Sequence, residues 1–240
     1  MYDLNRYLSV IENRVETSRE GIENSFFDDI ADYCKWIRYD NNTAYVFLLR
    51  DTLLPYFFFK RNGRSNIFPW LIGRKFLNNI SPVKDMDDIV RAVFFDALEN
   101  GCNDFFSFKR FYSHNIINAL KEYDTVISVL KNLLNTIKTE RIMVIESGCN
   151  GTFPMLLAVL DNRVDFRMFT TVPYMRNVYE GKVYTDAYEK NRLFETLACQ
   201  DLLFQYSGFR NNRFYISECT DENVRKRSFE ELHSFFFKIK

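Results

Sequence analysis

The chain has 240 residues, 47% hydrophobic and 27% charged, with 32 basic residues balanced by 32 acidic ones. This composition supports a packed core and excludes a disordered chain. A formal net charge of zero argues against a nucleic-acid partner held by phosphate neutralisation.

Between residues 3 and 37 apolar side chains recur at steps of three and four: Leu4, Tyr7, Leu8, Ile11 and Val15, then Ile22, Phe26, Phe27, Ile30, Tyr33 and Cys34. The spacing predicts two helices, with Gly21 between them. This amphipathic start has no apolar signal-peptide core. No later run reaches the roughly 18 apolar residues of a spanning helix. A cytoplasmic location without membrane contact is expected. Asp40-Asn41-Asn42 marks a turn. Residues 44–49 are continuously apolar, the pattern of a strand covered on both faces. Similar runs predict strands at 67–72, 142–145, 166–172 and 214–216. Helical patterns fill the intervals at 51–60, 85–99, 105–138 (divided near 121–125), 151–160, 188–206 and 221–237. The run Tyr56-Phe57-Phe58-Phe59 reads as core.

Strands alternating with helices predict an α/β fold, three-layered and Rossmann-like. About five mostly parallel strands would carry helices on both faces, joined by right-handed connections. Residues 1–240 read as one domain, in which 1–40 form a helical N-terminal extension and 76–140 a helical insert, together a cap. The 25 Phe residues on such helices could supply a homodimer face.

In open parallel sheets ligands bind outside the carboxyl ends of the strands. The candidates are therefore Arg50-Asp51-Thr52, Gly73-Arg74-Lys75, Glu146-Ser147-Gly148-Cys149-Asn150-Gly151-Thr152, Thr170-Thr171 and Ser217-Glu218. The third segment has a carboxylate at a strand end, two glycines three apart, and Thr at a helix start, which is a phosphate-cradle arrangement. Glycines let backbone N–H groups approach an anion, and the helix N-terminus adds partial positive charge. Gly148, Asn150, Gly151 and Thr152 would hold the phosphate, and Glu146 a metal ion or ribose hydroxyls. The plain alternative is a tight turn with Thr152 as N-cap. Arg50 and Arg74, with Lys75 beside the latter, suit an anionic group, since guanidinium is a bidentate fork. For Arg50-Asp51 the plain alternative is a surface ion pair.

Other residues give weaker signals. The basic run Lys60-Arg61-Asn62-Gly63-Arg64 reads as a solvated loop. His114 and His233 lie on helical segments without a partner motif. Cys149 sits near a helix start, where a thiol pKa can fall, yet no oriented base accompanies it. The five cysteines are widely spaced with no CxxC pair, which argues against a disulfide framework and a zinc site.

Two resemblances follow. Phe47-Leu48-Leu49-Arg50-Asp51, Trp70-Leu71-Ile72-Gly73-Arg74-Lys75 and Val144-Ile145 through Thr152 resemble strand-end motifs of uncharacterised bacterial haloacid-dehalogenase-like proteins: Arg-Asp-Gly, Ser-Arg and Asp-x-Gly-x-x-Gly-Thr. Thr52, Gly73 and Glu146 stand where that set has Gly, Ser and Asp. The likeness spans residues 45–171 and implies a phosphatase with Asp51 as nucleophile, lacking the second carboxylate of that chemistry. The order of the loops is also similar to that of phosphoribosyltransferases, which implies a phosphorylated small-molecule ligand and Mg2+ at Glu146. Three readings stay open: a phosphoribosyltransferase-like enzyme, a degenerate phosphatase with catalytic Asp51, and a non-catalytic binding module. In the first, a bulky residue at 151 is expected to abolish phosphate binding with the fold intact.

Overall fold

The computed structural model describes residues 2–17, 26–49, 52–81, 85–148, 150–190 and 204–239. Arg50, Asp51, Cys149, the predicted helix break at Gly21 and most of the predicted helix at 188–206 lie outside them.

Four strands form a parallel sheet: β2 (Thr43–Leu48), β3 (Ile67–Trp70), β4 (Arg141–Glu146) and β5 (Val164–Met168), in the order β3-β2-β4-β5. Every residue of β2 is buried, as expected for a central strand with cover on both faces. Val46 and Phe47 are both 0% exposed, and such side chains each contribute about 1.5–3 kcal/mol on burial. Beyond β5, Val183 forms a single parallel bridge with Met168. Met168 N–H donates to Lys182 O at 2.9 Å and Tyr184 N–H returns to Met168 O at 3.0 Å. This short segment caps the sheet edge.

Helices cover both faces, giving the expected three-layer, Rossmann-like α/β arrangement. On one face α3 (Leu53–Arg61) packs against α2 (Phe26–Trp36) and against the last helix, α9 (Glu222–Lys238). Edge-to-face rings lock this layer, Phe27 with Phe235 at 5.6 Å and Phe57 with Phe236 at 5.1 Å. On the other face α8 (Thr152–Leu160) packs against α5 (Met86–Glu99), α6 (Phe105–Ala119) and α7 (Asp124–Thr136). The helical insert, which begins with α4 (Arg74–Ile80), therefore belongs to the covering layer. The predicted division of the long helical stretch is a 3-10 turn at Lys121–Tyr123. Asp104 starts α6 by accepting from the N–H groups of Phe106 and Ser107 at 2.9 and 3.0 Å, a cap worth about 0.5–2 kcal/mol.

One expectation needs correction. Residues 214–216 do not extend the parallel sheet. They lie in β7 (Arg213–Glu218), which pairs antiparallel with β6 (Phe204–Arg210) and with the two-residue β1 (Tyr2–Asp3). The predicted helix at 188–206 ends inside β6. The cause is local: Asn211 and Asn212 have φ of +50° and +57°, and two consecutive positive φ values make a tight hairpin whose twist suits antiparallel strands. The small sheet sits on α4, where Phe76 meets Phe209 at 5.3 Å and Phe214 at 5.5 Å. The first helix, α1 (Leu4–Thr17), packs on α9 and β7.

Candidate functional site

The connection from β2 to β3 runs to one side of the sheet, and that from β4 to β5 runs to the other. The order reverses between β2 and β4. Ligands of open α/β sheets bind at such a switch point, outside the carboxyl ends of the strands. β2 and β4 both end there, β4 running into the predicted loop 146–152, while of the predicted segment 50–52 only Thr52 is among the described residues. The loop at 73–75 leaves from edge strand β3, one strand away. Ser217 and Glu218, in the antiparallel sheet, drop out of the candidate set.

The 146–152 loop is anchored from several directions. Glu146 ends β4, and its carbonyl lies 3.0 Å from the Tyr33 hydroxyl, whose single proton is shared between it and Arg167 O at 2.9 Å. Phe169 N–H donates to Glu146 O at 3.1 Å and Thr170 N–H to Ser147 O at 3.2 Å, so pairing continues past the strand ends. Tyr174 Oη donates to Asn150 Oδ1 at 2.7 Å and Tyr179 Oη to Asn150 O at 2.8 Å. Gly148 and Gly151 have φ of +146° and +68°, conformations that favour glycine.

These anchors consume acceptors and spare donors. Gly151 is the N-cap of α8 and supplies no side-chain cap, so Thr152 is the first helical residue, where the sequence suggested a cap. Pro154 has no N–H to offer. The N–H groups of Asn150, Gly151, Thr152 and Phe153 have no acceptor among the described residues. Unsatisfied N–H groups at a helix start are the donors that bind anions.

Beneath the loop lies a buried polar layer. Thr170 is fully buried and its Oγ1 has no hydrogen-bond partner among the described residues; the same holds for Tyr112 Oη. Glu146 Oε2 is buried as well. Burial, then the charges of Cys34 and Glu146, push the Tyr33 hydroxyl well above its usual pKa. Burial followed by the Glu146 charge does the same to Tyr179. Both phenols therefore stay protonated and act as donors.

The remaining candidates are more dispersed. Thr52 Oγ1 donates to Leu48 O at 2.9 Å and the residue is fully buried. Arg74, at the start of α4, leans toward Asp87 at 3.7 Å with its side chain two-thirds exposed, and Lys75 is exposed. The basic run near residue 60 is spent within the chain. Lys60 pairs with Glu12 at 2.5 Å, and the guanidinium groups of Arg61 and Arg64 lie 4.4 and 4.2 Å from the rings of Phe236 and Tyr39. Among the described residues no three His, Cys, Asp or Glu side chains are grouped to hold a metal ion. None of the described helices is long and apolar enough to cross a membrane.

The residues missed by sequence reasoning are the tyrosines. Tyr33 reads as helical core in the sequence, and no local pattern reveals that its hydroxyl reaches two strand carbonyls far along the chain.

Compared with known protein families, curated proteins and solved structures, the chain matches none.

Proposed function

We propose that the chain binds a phosphorylated small molecule at the switch point between β2 and β4, in the manner of a phosphoribosyltransferase. The observation that carries this reading is the start of α8: four consecutive N–H groups without acceptors among the described residues, at the strand-order reversal. A phosphate there would accept from these donors and gain the field of the helix terminus. The buried Thr170 hydroxyl supplies a further group beside the loop. Glu146 would orient ribose hydroxyls. Mg2+ fits this single carboxylate only as an ion shared with the ligand's own phosphates, the usual mode for that metal. Bound there, it would offset charge on the pyrophosphate. Arg50 would meet the pyrophosphate from the neighbouring loop, with Arg74 and Lys75 at the outer rim.

The test is calorimetric titration of the protein with phosphoribosyl pyrophosphate, with and without Mg2+, repeated on Glu146→Gln. Binding that requires Mg2+ and weakens about tenfold in the variant, a loss of roughly 1.4 kcal/mol, supports the reading. An absence of heat with phosphoribosyl pyrophosphate, pyrophosphate and nucleotides would sink it.

A further inference from the structure

A cavity of about 780 Å3 opens at the opposite edge of the parallel sheet, where β2, β4 and β5 begin. Its walls include Trp36, Arg38, Asp40, Arg141, Arg163 and Arg167. The volume falls within the roughly 300–1,000 Å3 of small-molecule sites, on an edge that open parallel sheets do not ordinarily use.

The charged groups of the wall divide into engaged and unengaged. Arg163 holds Asp161 at 2.6 Å and also donates to the carbonyls of Leu134, Ile137 and Thr139. Arg167 holds Asp165 at 3.1 Å and lies 5.8 Å from the Trp36 ring centroid. Asp165 is also held by Lys182, at 2.5 Å. Asp40 accepts from Asn42 N–H at 3.0 Å and Thr43 Oγ1 at 2.9 Å. Glu140, the other acidic wall residue, is exposed at the rim. The guanidinium groups of Arg38 and Arg141, both exposed, make no hydrogen bond or ion pair with the described residues, although the Arg141 charge helps lower the pKa of the neighbouring Asp40.

The backbone that carries these two exposed arginines is held at one rim. Arg141 stands opposite Thr43 in the register of β2 and β4. Tyr45 Oη accepts from Asp40 N–H at 2.8 Å and donates to Arg38 O at 3.2 Å, which ties the loop after α2 to the sheet. Arg38 has a φ of +51°. This is the left-handed position at a helix end that glycine fills at least cost. An arginine kept in such a conformation points to a use for its side chain.

We propose that this cavity is a second ligand site, for a compact oxyanion of phosphate or carboxylate type, gripped by Arg38 and Arg141 against the Trp36 wall. Guanidinium forks suit both oxyanions. The site is independent of the one at α8.

Two tryptophans allow the edges to be read separately. Trp36 lines the cavity, and Trp70 ends β3 at the opposite edge. In a nitrogen-15 spectrum of the full chain each gives one indole N–H signal. Titration with pyrophosphate and with citrate, at constant ionic strength, is expected to move the Trp36 signal saturably. Arg38→Gly and Arg141→Gln are each expected to weaken that binding about tenfold, and glycine at position 38 keeps the backbone in a conformation it favours. A response to one anion alone assigns the class: phosphate if pyrophosphate, carboxylate if citrate. The proposal is overturned if neither anion moves Trp36 at millimolar concentration, if only Trp70 responds, or if both variants bind as the native chain does.

Discussion

Gly151 lies directly under the hydroxyl of Tyr179: a Cβ at residue 151 would stand 2.9 Å from that oxygen and 3.0 Å from the Met168 sulfur. Tyr179 is fully buried and bonded to Asn150 O, so it has little room to yield. The position also has a φ of +68°. Gly151→Ala should therefore cost roughly 2–5 kcal/mol, combining left-handed strain with overpacking. Urea unfolding measures this, and a loss below about 0.5 kcal/mol, the scale of a neutral surface change, would contradict the packing described. The expectation that a bulky residue at 151 spares the fold is corrected by the same contacts. Loss of ligand binding in such a variant would not separate a binding role from a folding role, which is why Glu146→Gln is the variant chosen for the ligand test.

Much of the architecture was legible because β2 is buried on both faces and β4 largely so. β2 and β4 had to be apolar runs, whereas their order in the sheet, and with it the switch point, is visible only in the structure. The position of the loop at 146–152 was legible for the same reason, since it follows β4 directly. The hairpin of β6 and β7 was not read. Its strands are half-exposed and carry a register shift between Tyr206 and Gly208, which breaks their alternation. The signal that could have found it is Asn211-Asn212, a dipeptide that tolerates positive φ. The tyrosines around Glu146 were illegible in principle. A buried phenol that bonds distant carbonyls has the same helical spacing as one that only packs.

Arg163 acts as a clamp on the end of α7, donating to Ile137 O at 2.8 Å and Leu134 O at 3.1 Å while pairing with Asp161. Arg163→Ala should cost about 1–3 kcal/mol at neutral pH, from carbonyls left without their donor. The pH dependence follows from Asp161, whose pKa is lowered chiefly by its hydrogen bonds from Arg163. A depressed carboxylate adds stability above its unfolded pKa of about 3.9, and that stability fades as pH falls through the lower folded value. The gap between native and variant chains should thus be widest above about pH 5 and narrow toward about pH 2. Denaturant midpoints across this window would show it, and a gap that stays constant or widens in acid would exclude the Asp161 linkage.

The small antiparallel sheet meets α4 through one central ring. Phe76 is 1% exposed and lies edge-on to Phe209 at 90° and 5.3 Å, with Tyr206 6.1 Å away. Tyr206 Oη adds one polar tie, to Asn79 Oδ1 at 2.7 Å. Phe76→Ala removes the ring common to these contacts and should cost about 3–5 kcal/mol. Because, among the described residues, the hairpin's one further strand partner is the two-residue β1, the loss should be felt first in its own amides. Hydrogen exchange should accelerate across residues 204–218 while β2 and β4 keep their protection, as expected of a weakly coupled unit. Phe76→Leu, which retains apolar volume, should show the same pattern at a fraction of the cost. Uniform acceleration throughout the chain in both variants would mean that hairpin and parallel sheet unfold as one unit, and that Phe76 is part of a common core and not a local seat.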